Sequence, residues 1–125
     1  MPRVLIADDE ESMRSLVARA IAMDGHETVT AEDGADALDI LTREGGAFDL
    51  LLTDIQMPVM DGIALALAVA RDFPDLKILL MTGFAAQRER ASGLSAIVHD
   101  VVTKPFAVAD IRTAVADALA ARKMD

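Results

Sequence analysis

Five times along this chain a short, β-rich apolar run gives way to a longer stretch with helical spacing. That alternation restricts the fold more than any other feature. The runs cover residues 3–7, 26–30, 49–53, 77–81 and 98–103. The segments between them place apolar residues three and four apart. Met13, Leu16, Val17, Ala20 and Ile21 form one face; Ala37, Leu38 and Leu41 form a second, after a plausible cap at Asp33. Ile63, Ala66, Leu67 and Ala70 form a third, a weaker helix covers 86–94, and Val108, Ile111, Val115 and Leu119 form the fifth. Such alternation implies a parallel sheet covered by helices on both faces. The first, third and fourth runs are nearly all apolar, as strands buried on both sides are. Right-handed crossovers leave few topologies. The expectation is a doubly wound (βα)5 sheet of the flavodoxin-like type, strand order 2-1-3-4-5.

A chain of 125 residues is the size of one domain, and none of it reads as a linker or repeat. Cysteine is absent, which excludes disulfides and thiolate metal sites. The net charge of -9 argues against direct nucleic-acid binding, which needs basic patches. The start lacks the apolar run of a signal peptide, and no run is long enough to cross a membrane. A cytoplasmic location is expected, with neither nucleic acid nor membrane as a partner.

In open α/β sheets ligands bind beyond the carboxyl ends of the strands, where the strand order switches. The polar residues at those ends are Asp8 and Asp9 after the first run, Asp54 after the third, Thr82 and Gly83 after the fourth, and Lys104 and Pro105 after the fifth. The expected order puts three carboxylates, a hydroxyl and an ammonium in one crevice. Clustered carboxylates repel unless something offsets their charge. Mg2+ is the simplest remedy, because it takes oxygen ligands and needs only one or two carboxylates. Lysine suits a phosphate oxygen, and threonine can donate one hydrogen bond to it. The set matches phosphoryl transfer to a carboxylate nucleophile.

The motifs ADDE at 7–10, DIQMPVMDG at 54–62, MTG at 81–83 and KPF at 104–106 resemble, in order and over the whole chain, the receiver domains of response regulators, the CheY-like family. The resemblance implies that Asp54 is the phosphoacceptor, and that Asp9, Asp54 and the Gln56 backbone carbonyl hold Mg2+, with Asp8 acting through a water. It implies that Thr82 and Lys104 meet the phosphoryl group, that Pro58 and Gly62 shape the loop after the third strand, and that Lys104–Pro105 is cis. A histidine kinase or phosphotransfer protein would be the donor. The domain would be a self-phosphorylating switch and no enzyme in the ordinary sense.

Two positions depart from the family pattern. Val101 stands where many receivers carry the Tyr or Phe that changes rotamer with the threonine, and Phe84 is large where relatives are small or polar. Both are candidates for an altered switch. With about twenty residues after Lys104, one receiver domain over 1–125 without an output domain is expected, its output being a partner protein. The stretch 74–86 also resembles single-domain CpdR-like regulators, which act as adaptors for a regulated protease. A haloacid-dehalogenase-type phosphatase would need an aspartate at position 56, where this chain has Gln. A degenerate receiver would not keep the acidic pair, Thr82 and Lys104.

Overall fold

The computed structural model describes residues 1–83 and 85–121. Strands and helices alternate: β1 (Arg3–Ala7), α1 (Glu11–Ala22), β2 (Glu27–Ala31), α2 (Gly34–Arg43), β3 (Leu50–Asp54), α3 (Gly62–Asp72), β4 (Lys77–Thr82), α4 (Ala85–Ser92), β5 (Asp100–Thr103) and α5 (Val108–Ala121). All strand pairs are parallel, and the sheet order is β2-β1-β3-β4-β5. This is the expected flavodoxin-like arrangement.

The period of two along each strand divides the core. Leu5, Leu51, Ile78 and Leu80 face α2, α3 and α4, together with Val101. Val4, Ile6, Leu50, Leu52, Leu79 and Met81 face α1 and α5, together with Val102. β1, β3 and β4 are central and buried almost throughout, whereas β2 and β5 are half-exposed edges. Burying each large aliphatic side chain contributes roughly 1.5–3 kcal/mol. The three central strands therefore form a platform on which the site is fixed.

Three helical faces differ from the sequence reading. On α3 the buried residues are Gly62, Leu65, Ala66 and Val69, and Leu67 is 52% exposed. The segment GIALALAVA is apolar all round, so spacing permits two stripes, and only packing against the sheet selects one. Leu16 and Val108 are likewise exposed, and Ala118 is the buried residue at the end of α5. β5 begins at Asp100, two residues later than expected. Val98 is buried, and the His99 N–H donates to the Ile78 carbonyl at 2.8 Å, which starts the pairing. Met1 and Met23 are exposed, while Met57 and Met81 are buried.

Two glycines let the backbone pass where side chains would collide. A Cβ on Gly62 would lie 2.1 Å from the Asp54 carbonyl oxygen, and one on Gly34 would lie 2.4 Å from the Met60 carbonyl oxygen. The obstacle is backbone in both cases, so no rotamer change relieves it. The Gly62 N–H donates to Ile55 O at 2.8 Å and the Gly34 N–H to Met60 O at 3.1 Å, closing the loop after β3 from both sides. Gly62→Ala should therefore destabilise by ~3 kcal/mol, the upper range for overpacking. Gly93→Ala, where a Cβ meets nothing within 4 Å, should change stability by less than about 0.5 kcal/mol. Denaturant unfolding of the two variants checks the contrast.

Candidate functional site

The carboxyl ends of β1, β3 and β5 bring their charges together because the sheet places these strands in a fixed register. Asp8 follows β1 and is fully buried, Asp9 beside it is exposed, and Asp54, the last residue of β3, is 8% exposed. One carboxylate oxygen from each lies within 4.8 Å of the others. Lys104 follows β5 directly. Its Nζ is 3.3 Å from Asp54 Oδ1 and 3.6 Å from Asp8 Oδ2. These residues line an open crevice of about 240 Å³ with Glu10 and Gln56.

Backbone donors fix the two buried carboxylates. The Ile55 N–H donates to Asp54 Oδ1 at 3.0 Å, and the Glu10 N–H donates to Asp8 Oδ1 at 3.0 Å. Asp8 Oδ2 has no hydrogen-bond partner among the described residues. Burial pushes the Asp8 carboxyl above its ordinary pKa, opposed by the Glu10 N–H and Lys104. Burial also pushes Asp54 up, opposed by the Lys104 ammonium and reinforced by the charge of Asp8. One ammonium does not neutralise three carboxylates, so the crevice holds an excess of negative charge on oxygen donors.

The remaining expected residues fall around this crevice. Thr82 ends β4 and is fully buried, and its carbonyl accepts the Lys104 N–H at 2.7 Å. Lys104–Pro105 is cis, as expected. Val101 is half-buried on the α4 side of the sheet. Phe84 lies outside the described residues. Asp61 caps the start of α3, accepting the Ala64 N–H at 2.8 Å.

The loop from Ile55 to Asp61 carries a strained residue that the sequence did not announce. Val59 has φ of 68°, and the Met60 N–H donates to the Pro58 carbonyl across it at 2.7 Å. A three-residue turn of positive φ is rare, and for a β-branched residue it is an outlier. Pro58 before it fixes one side of the turn. Sequence reasoning also missed Arg14, whose Nη1 donates to the Asp8 carbonyl at 2.8 Å, and Glu10 as part of the crevice wall. A contact six residues away across a strand-helix turn has no periodic signature, which is why Arg14 was not found.

Comparison with known proteins follows the same lines. The model of the response regulator receiver domain family matches residues 4–116. The response regulator receiver protein CpdR of Brucella abortus is 40% identical over 111 residues, covering 89% of this chain and 91% of that protein. The transcriptional regulatory protein PrrA of Mycobacterium tuberculosis is 33% identical, covering 88% of this chain and 46% of that protein. The chain thus spans nearly all of the first relative and about half of the second. Among solved structures, the response regulator TrrA of Thermotoga maritima in complex with Mg2+ and BeF is 32% identical with a TM-score of 0.82, covering 94% of this chain and 98% of that one. A receiver domain protein of Clostridium thermocellum, 22% identical with a TM-score of 0.89 over 99% and 98% of the two chains, shows the shared fold.

Two outcomes follow from the geometry. Val59 is 86% exposed, so replacing it loses almost no packing. Val59→Gly removes a left-handed penalty of roughly 1–2 kcal/mol and returns about 0.4–1 kcal/mol through the freer unfolded chain. A net stabilisation of about 0.5–1 kcal/mol is expected from denaturant unfolding. The second outcome concerns pH. Carboxyls whose folded pKa is raised bind protons in the native state that the unfolded chain has already lost. Without metal, stability therefore falls as pH rises from the ordinary carboxylate value through the raised one. Asp8→Asn should raise stability at neutral pH in chelator and flatten that slope, as unfolding curves across the acid range will show.

Proposed function

Because the chain belongs to the response regulator receiver family of two-component systems, we propose that it is a Mg2+-dependent phosphoacceptor switch in which Asp54 takes a phosphoryl group from a phosphohistidine. The observation that carries this reading is the buried Asp54 carboxylate with Lys104 Nζ 3.3 Å away and two further carboxylates within 4.8 Å. A structural aspartate at a strand end would not need that company.

The donor set fits a hard divalent cation. It is all oxygen, carries excess negative charge, and includes a buried oxygen, Asp8 Oδ2, without a hydrogen-bond partner among the described residues. Asp9, Asp54 and the backbone carbonyl of Gln56 would hold Mg2+ directly and Asp8 through a water. Bound there, the ion supplies neutralisation of charge on the phosphoryl oxygens.

The chain's own groups divide the rest of the work. An Asp54 oxygen attacks phosphorus in line. The new O–P bond forms as the donor's N–P bond breaks, and the imidazole leaves with that electron pair. Lys104, held between Asp54 and Asp8, turns its charge to a phosphoryl oxygen, and Thr82 donates its hydroxyl proton to another. Pro58, Gly62 and the cis Pro105 shape the backbone that aims these groups. Water hydrolyses the acyl phosphate and resets the domain. The protein is thus a switch with self-catalysed steps and no independent substrate.

A histidine kinase or phosphotransfer protein is the donor, and the cytoplasm, where such donors act, is the compartment. No helix among the described residues is long and apolar enough to cross a membrane. The likeness to CpdR over 91% of that protein supports an output through a protein partner. A protease-adaptor role is the output suggested by the resemblance of 74–86 to CpdR-like regulators. Thr82 is kept, but Val101 stands where many receivers carry the aromatic that moves with it, and Phe84 is large where relatives are small or polar, so the conformational response differs from the common pattern.

Incubation with acetyl phosphate and Mg2+ should add one phosphoryl group, labile to hydroxylamine. Asp54→Asn should abolish it, and Asp9→Ala should weaken Mg2+ binding by about tenfold or more, the range for damage to a metal site. Labelling that persists in Asp54→Asn, read by intact-mass spectrometry, would overturn the assignment.

A further inference from the structure

The described side chains of α4 pack little against the sheet. From Arg88 to Ser92 only Ala91 is buried, while Arg88, Glu89, Arg90 and Ser92 are exposed. Two arginines grip it instead. Arg88 Nη1 donates to Thr103 Oγ1, on the last residue of β5 and next to Lys104. Arg90 Nη2 donates to Asp61 Oδ2 at 2.9 Å. Two positions along a helix differ by roughly 200°, so the two side chains leave α4 on opposite flanks. One reaches the strand that ends at the lysine. The other reaches the end of the loop that starts at Asp54.

Both anchors are joined to the site through backbone contacts. Asp61 caps α3 through the Ala64 N–H, and the next residue, Gly62, lies against the Asp54 carbonyl with no room for a side chain. The Lys104 N–H is bonded to Thr82 O. A displacement of Lys104 or of the loop after Asp54 therefore moves Thr103 or Asp61 with it. Val101 offers no comparable route, because its side chain is short and stiff at χ1.

We propose that Arg88 and Arg90 are positioning residues that couple α4 to the two loops of the phosphoryl site, so that occupancy at Asp54 is read out at α4 through Thr103 and Asp61. This coupling rests on the phosphoacceptor reading of Asp54. Each exposed contact adds little stability. Its consequence is directional, since a planar guanidinium holds a fixed geometry on each side of the helix. The surface altered on phosphorylation is then α4 and its flanks, with β5 following only at Thr103.

The test changes the acceptors and leaves α4 intact. Asp61→Asn keeps a good cap for α3 but removes the charge opposite Arg90, and Thr103→Val keeps the strand shape but removes the hydroxyl opposite Arg88. Amide hydrogen exchange at 88–92 is followed in the full chain with and without beryllofluoride and Mg2+. In the wild type the analogue should change exchange there by about fivefold or more, the lower end of ordinary site-to-site coupling. The double variant should still bind the analogue but lose that response, each single variant should lose part of it, and Thr103→Ser, which keeps the hydroxyl, should retain it. Equal responses in the wild type and double variant would overturn the tethers while leaving the phosphoacceptor reading intact. Failure of the wild type to bind the analogue at all would overturn that reading, and the coupling with it.

Discussion

The carboxylates of Asp8 and Asp54 are held together in near-complete burial, and much of the structure exists to make that tolerable. Two like charges at the end of an apolar sheet carry a desolvation penalty and repel each other. The fold offsets this locally. Each carboxylate accepts one backbone N–H, and a single ammonium is placed 3.3 Å and 3.6 Å from the two of them. Those donors cannot be supplied by flexible loops. They come from residues within three positions of the ends of β1, β3 and β5, whose places follow from a sheet with an apolar centre.

The loop from Asp54 to Gly62 shows the same dependence. It must return over the end of β3 close enough to present Gln56 at the crevice, and the backbone-to-backbone approach at Gly62 and Gly34 leaves no space for side chains. The closure is tight enough to force Val59 into a left-handed turn. That strain is tolerable because the hydrogen bonds of Gly62 and Gly34 over-determine the loop on both sides.

The alternation of periods disclosed the element order, and the polar residues at strand ends disclosed the site. Both signals are local, with period two or four, and so survive in a linear sequence. Asp33 was legible as a cap for the same reason, since a cap acts three residues away. What was not legible depends on packing across the chain. The apolar segment of α3 gave no means of choosing Leu65 and Val69 over Leu67 as the buried stripe. Arg14 on Asp8, Arg88 on Thr103 and Arg90 on Asp61 are partners that only the assembled sheet brings within reach. The motif DIQMPVMDG marked the loop after β3, but the strain at Val59 within it followed from geometry that the residue types conceal.

These unforeseen contacts share a feature. Each arginine reaches backbone or side chain at an element end: Arg14 the carbonyl of Asp8, Arg88 the residue before Lys104, and Arg90 the cap of α3 that closes the loop from Asp54. The core could not do this work, because a close-packed apolar platform resists the graded movement that a switch requires. Polar contacts at the rim have the opposite character: they are weak singly, directional, and cheap to exchange. A receiver that lacks an aromatic ring at position 101 has no bulky rotor inside β5 to move. On the coupling proposed above, the response is carried by exchangeable bonds at the rim, which on this chain are those of Arg88 and Arg90 on α4.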